Sequence, residues 1–176
     1  MVEDLSDGIL ASIGRGIAWI FAPLGWGNWQ AAVAAITGLV AKENVVGTFG
    51  ILYGFAEVAE DGQEIWGTLA GSFTAVSAYS FLVFNLLCAP CFAAMGAIKR
   101  EMNNAKWTWF AIGYQTVLAY GVSLCIYQLG SWFETGSFGI GTAAAIILVA
   151  LFIYLLIRPY RESRFLNVGL KAKSAV

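Results

Sequence analysis

Residues 138–157 read FGIGTAAAIILVALFIYLLI, a run without a single charged side chain. An α-helix rises about 1.5 Å per residue and the hydrocarbon core of a bilayer is about 30 Å thick, so roughly 20 apolar residues make one crossing. A helix that is apolar on every face has no side to turn toward water. The run therefore reads as a transmembrane helix. Residues 107–129 are likewise free of charge. Two longer apolar stretches, 29–58 and 69–98, are each interrupted near the middle, the first by Lys42 and Glu43 and the second by Pro90. The expected fold is an all-α, polytopic helical membrane protein of about four spans, with the first two interrupted near mid-membrane.

The composition agrees. Of the 176 residues, 59% are hydrophobic and 12% charged, with a mean hydropathy of +0.72. Soluble domains carry about 25% charged residues, so half that amount cannot clothe a wet surface. A net charge of −1 argues against a nucleic-acid partner. Histidine is absent, which removes the commonest general base and any Ser–His or Cys–His pair, and an enzyme is not expected. Cys88, Cys91 and Cys125 all lie in apolar stretches; an odd count there is not a secreted disulfide framework.

Residues 9–24 are apolar but short, carry Arg15 and stop at Pro23 and Gly25. Residues 1–28 are therefore expected to form an N-terminal interfacial or partly inserted helix, 29–160 the transmembrane domain, and 161–176 a basic cytoplasmic tail. Basic residues in short loops mark the cytoplasmic side. The loop 57–64 holds Glu57, Glu60, Asp61 and Glu64, and the loop 130–137 only Glu134, whereas Lys99, Arg100, Lys106, Arg158, Arg161, Arg164, Lys171 and Lys173 fall on the other side. Both termini are then expected to be cytoplasmic, provided residues 9–24 do not cross. Trp29, Trp107, Trp109, Trp132 and Tyr160 lie near span ends, in the layer that suits amphipathic rings.

Chemistry concentrates at the two interruptions. A charge at bilayer depth costs at least ~2.5–3.5 kcal/mol and normally faces protein or water. Lys42 and Glu43 are adjacent, so on a helix they point about 100° apart. Together they suggest a broken or re-entrant helix lining a cavity, with Glu43 as a substrate-path carboxylate that Lys42 tunes; the alternative is an interfacial turn. In the second stretch, Asn85, Cys88, Cys91 and Met95 recur at helical spacing and form a stripe of polar and soft-ligand side chains. Pro90 removes an N–H and clashes with the Leu86 carbonyl, so a kink is expected there. Thiol, thioether, carbonyl and carboxylate form a mixed set that a divalent transition metal accepts. Plain packing of small side chains and a redox pair are the competing readings. Tyr120, Ser123 and Tyr127 share one face of the third span and read as interhelical hydrogen-bonding residues.

The segments 39–48 (LVAKENVVGT), 81–101 (FLVFNLLCAPCFAAMGAIKRE) and the 106–128 stretch beginning KWTWF, with 20–31 (IFAPLGWGNWQA) before them, resemble the C-terminal membrane part, the second gate portion, of the bacterial ferrous iron transport protein B family. The resemblance covers about residues 9–158 and implies a gate-type domain in a multi-pass inner-membrane importer. Fe2+ would be the transported substrate, with no permanently bound cofactor. It implies metal contact by Cys91, the cysteine after proline, and by Glu43 of the Ala-Lys-Glu motif, with Cys88 and Asn85 as further members of the set. Family members also carry a GTP-binding domain and a first gate, and this chain has no phosphate-binding glycine loop. The implied partners are Fe2+, membrane lipid and either those missing parts or a second copy of the chain. Two rival expectations are a gate-type transporter of an organic solute such as a nucleoside, and a non-transporting structural subunit of a membrane complex.

Overall fold

A computed structural model describes residues 8–55, 65–136 and 138–158, and all its regular elements are helical. The acidic N-terminus, the acidic loop 57–64, Tyr160 and the basic tail 161–176 lie outside the described residues.

Helix α1 (Ile9–Phe21) buries Ala11, Gly14 and Ala18 along one face. Small residues there let α1 approach α2 (Trp29–Thr37) closely. A Cβ on Gly14 would sit 2.7 Å from Val33 Cγ2 and 2.9 Å from the Trp29 carbonyl oxygen. Pro23 ends α1 in a short 3₁₀ turn, Ala22–Leu24, and Gly25 follows at φ +86°. A side chain is excluded at Gly25 twice over, by that φ and by the Tyr127 ring that a Cβ would strike. Asn28 then caps α2 by accepting from the Ala31 amide at 2.7 Å. Through this turn the chain bends by 96°. Trp26, in the turn, is 1% exposed. Its ring stacks on Phe21 at 4.4 Å and meets Phe81 edge-on at 5.0 Å.

Helix α2 buries Ala31 to Ala35 without a break and exposes Ile36 near its end. It ends at Gly38, and α3 (Asn44–Leu52) begins six residues further on. The two do not continue one another. Thr37 and Thr48 hydroxyls lie 3.0 Å apart across a separation of 11 residues, whereas a continuing helix would carry them roughly 16 Å apart at 1.5 Å per residue. Residues 29–52 of the interrupted stretch therefore form a tight helical hairpin with Lys42 and Glu43 at its tip. The pair apolar and long enough to count as a broken span or re-entrant loop is α1 with α2.

Helix α4 (Trp66–Ser72) leads to α5 (Ala75–Leu87), which opens on a reciprocal capping box between Thr74 and Ser77. Helix α6 (Phe92–Met102) completes the second interrupted stretch and stops at Asn103, in the left-handed region at φ 44°. Asn104 caps α7 (Ala105–Thr135), which ends at Gly136, φ 67°, and α8 (Ile140–Ile157) follows. Among the described residues, three segments are long and apolar enough to cross a membrane, Ala75–Met102, Ala105–Thr135 and Ile140–Ile157, with the bent α1–α2 pair a fourth if it is one span.

Helix α7 is the post on which the rest is assembled. It clamps the 20–24 turn through Tyr120, whose hydroxyl donates to the Ile20 carbonyl at 2.7 Å, and Gln128, whose amide donates to Pro23 at 2.8 Å. Its Ser123 hydroxyl donates to the Ser80 carbonyl of α5 at 2.8 Å. The Ser80 hydroxyl, 2.7 Å from Ser123 Oγ, reaches the Leu24 carbonyl at 3.0 Å. Both serines are wholly buried.

Candidate functional site

The second interruption is a full break. Ala89 precedes Pro90, and a residue before proline is pushed from helical to extended backbone. Cys88 (φ −62°, ψ 171°) and Cys91 (φ −58°, ψ 161°) are both extended, the first closing α5 and the second opening α6. The expected stripe of Asn85, Cys88, Cys91 and Met95 along a single helical face is therefore corrected: the helix stops before it can carry the ridge through. Cys88 turns into the core, its thiol within reach of the Asn85 carbonyl at 3.5 Å. Cys91 is half-buried at the first turn of α6. By residue count the break divides the Ala75–Met102 segment near its middle.

Each break leaves backbone groups without helical partners, and the two breaks satisfy one another. Proline at position 90 cannot donate to the carbonyl four residues earlier, that of Leu86. The Lys42 ammonium donates to that oxygen at 3.1 Å. The first amide of α6, Phe92 N–H, has no acceptor within its own helix; it donates to the Leu39 carbonyl in the hairpin tip at 3.1 Å. A Cβ on Gly38 would come within 2.9 Å of Val45 Cγ2 of α3 and 3.3 Å of Asn85 Oδ1, so glycine lets the hairpin close on itself and onto α5. The Asn85 amide donates to Phe81 O at 2.9 Å. The ends of α2 and α5 and the starts of α3 and α6 thus meet at one junction. Carbonyl-rich C-termini favour cations there.

Asn85, Cys88 and Cys91 belong to the α5–α6 side of this junction, and Glu43 to the tip, where it is exposed and precedes α3 without capping it. Among the described residues, no three His, Cys, Asp or Glu side chains form a group that could hold a metal ion. Lys42 reaches across to α5. The strap formed by Lys42 is a feature the residue pattern signalled only in halves: an orphaned carbonyl at Leu86, and a lone cation in the stretch 29–58.

A cavity of about 350 Å³ opens beside the tip, lined by Thr37, Val40, Asn44, Gly47, Thr48 and Ile51. A larger one, about 720 Å³, lies between α3, α4 and α5, with Phe49, Trp66, Phe73 and Phe81 in its wall. Its polar side chain, Thr74, is engaged in the α5 capping box.

Comparison with known proteins gives this junction a context. The family described as "Gate: Nucleoside recognition" matches residues 5–105, which contain both breaks. The chain is 39% identical over 127 residues to the Fe(2+) transporter FeoB of Methanocaldococcus jannaschii, an alignment that covers 72% of this chain and 18% of that protein. It is 32% identical over 130 residues to the Fe(2+) transporter FeoB of Staphylococcus aureus strain COL, covering 74% of this chain and 19% of the relative. The Fe(2+) transporter FeoB of Escherichia coli K12 is 29% identical over 211 aligned positions, covering 92% and 27%. The chain therefore spans between about a fifth and about a quarter of the length of these relatives. No solved structure matches it. The chain belongs to the Gate family, and it is similar to one segment of the Fe(2+) transporters named FeoB.

Proposed function

We propose that this chain supplies gate-region helices to a transmembrane path for Fe2+, in a multi-pass assembly of the bacterial inner membrane with both termini in the cytoplasm. The observation that carries the reading is the junction of the two breaks. Non-helical backbone at membrane depth is tolerated where it is buried in protein or lines a cavity, and transporters place substrate sites at such broken helices. Here the tip and the Cys88–Cys91 break supply carbonyl oxygens, a carboxylate at Glu43, an amide at Asn85 and thiols at Cys91 and Cys88. An ion that must leave again needs weak, successive ligands, so a scattered mixed set suits passage better than a closed cage. The ion is cargo, and no permanently bound cofactor is required. The remaining parts of the path would come from partner segments such as those that make up the rest of the longer relatives, or from a second copy of the chain.

The family description raises a nucleoside as the rival substrate. The large cavity weighs against it: its described wall is almost wholly apolar, and base or ribose recognition needs several convergent polar groups.

The test is Fe(II) uptake by cells expressing the chain with the rest of its transporter, comparing wild type with Glu43→Gln, Cys91→Ser and the double variant at matched expression. Each single variant is expected to lower uptake and the double variant to abolish it. Undiminished uptake in the double variant refutes the ligand roles. A rise in melting temperature with a nucleoside but not with Fe(II) favours the rival.

A further inference from the structure

Lys42 stands beside the residue to which the ligand role is given, yet its ammonium reaches across to α5. Its acceptor, the Leu86 carbonyl, is the one that Pro90 leaves without an amide. We infer that Lys42 is a positioning residue of the gate: its side chain substitutes for the missing N–H of residue 90 and straps the hairpin tip to the α5–α6 break. Three observations converge on this. The bond joins residues 44 apart in sequence, so it is tertiary, with no part in forming either helix. A second bond, Phe92 N–H to the Leu39 carbonyl, crosses the same gap, so the tip is held on both sides of Pro90. Gly38 has no Cβ to keep the tip away from Asn85. A charged donor on a carbonyl is among the stronger single hydrogen bonds a protein makes. Lysine supplies it on a long flexible stem that can also release it. Without the strap, the break that carries the half-buried Cys91 would be tied to the tip only through the Phe92–Leu39 bond.

The importance of the strap for iron passage rests on the function proposed above; the strap itself does not. The experiment is therefore run without metal. The chain is purified in lipid nanodiscs, and the rate of maleimide alkylation at Cys91 is read by peptide mass spectrometry, which separates Cys91 from Cys88. Lys42→Met should speed alkylation of Cys91 roughly tenfold, the factor that corresponds to about 1.4 kcal/mol of lost restraint. Lys42→Arg, which keeps the cation and its donors, should stay close to wild type. In a Pro90→Ala background residue 90 regains its own amide, and Lys42→Met should then change the rate little. An unchanged rate in Lys42→Met overturns the inference, and so does an equal acceleration in both backgrounds, because a merely structural lysine has no reason to be coupled to position 90. If Lys42→Met does not fold, Lys42→Gln is compared in the two backgrounds by the same criterion. Fe(II) titration of the wild-type nanodiscs separates the two readings: the expected alkylation pattern without Fe(II) binding leaves the strap standing and removes the iron path.

Discussion

At the scale of single residues, the buried polar groups here work in pairs across helices. Ser123 donates its hydroxyl to the Ser80 carbonyl between α7 and α5, and the Ser80 hydroxyl, against Ser123 Oγ, reaches the Leu24 carbonyl of the turn. Side-chain hydrogen bonds between membrane helices average only about 0.6 kcal/mol and reach ~1.7 kcal/mol. Ser80→Ala should fall toward the upper end, because it leaves the Leu24 carbonyl without its donor. Ser123→Ala should cost less. The double variant should cost less than the sum, since each single change already breaks the shared contact. Thermal unfolding in detergent measures all three, and strict additivity would show that the hydroxyls act separately. Ser123 is legible in the sequence, through its position on a polar face with Tyr120. Ser80 is not, because serine on an otherwise apolar helix gives no sign of its partner until α7 is laid against it. Glu43 and Cys91 stand out as an acid within an apolar stretch and a thiol beside proline. The use made of Lys42 depends on a carbonyl in a distant segment, which only the folded chain brings within reach.

At the scale of elements, helix breaks and small residues set the architecture. Glycine is needed at Gly14 and not at Gly16, although both lie in α1. Beyond Gly14 stand a Val33 methyl and the Trp29 backbone, while nothing lies within 4 Å of a Cβ on Gly16. Gly14→Ala should force α1 from α2 and cost about 1–3 kcal/mol, the usual penalty of overpacking. Gly16→Ala should be neutral or slightly stabilising, because alanine favours the helix by about 0.8–1 kcal/mol over glycine. Melting temperatures of the two variants in the same detergent decide this, and equal losses would mean that α1 does not dock as described. The same contrast explains what the residue pattern conveys about these elements. Uninterrupted apolar runs announce α7 and α8 directly, since length and lack of charge suffice. Pro90 announces the α5–α6 break by the chemistry of its ring. The turn at Pro23 and Gly25 is visible as a stop, but its 96° bend and the docking of α1 on α2 arise from tertiary packing around Trp26. The hairpin of α2 and α3 is hidden for a related reason: two short apolar helices in succession read alike whether they continue or fold back.

At the scale of the whole molecule, sidedness follows from counting crossings. Helix α7 starts just after Lys99 and Arg100, with Lys106 in its first turn, and ends beyond Glu134. Helix α8 returns and ends at Arg158. If both cross, the start of α7 and the end of α8 lie on one side, and basic residues gather at both places. On the topology proposed above, the bias of short basic loops toward the cytoplasm would put the α6–α7 connection and the end of α8 there. It follows that α5 enters from the opposite side. The α2–α3 hairpin turns back on itself, so residues 29–52 add no crossing. The side of the N-terminus is then decided by α1. Helix α1 with its 3₁₀ turn covers 9–24, about 24 Å at 1.5 Å per residue, which is short for a full crossing, and Arg15 lies near its middle. An even number of crossings, with α1 inserted deeply enough to carry the turn to the far side, places both ends in the cytoplasm; a surface-lying α1 places them on opposite sides. The expected result is a cytoplasmic reporter signal from both termini, read by fluorescent-protein and alkaline-phosphatase fusions at each end in cells. A phosphatase-active N-terminus with a fluorescent C-terminus would assign α1 to the membrane surface and reduce the crossings to three. In that case the hairpin carrying Lys42 and Glu43 would still enter from the side opposite the basic loop, so the bracing of the two breaks does not depend on the outcome, whereas the direction from which an ion meets Glu43 relative to the N-terminus does.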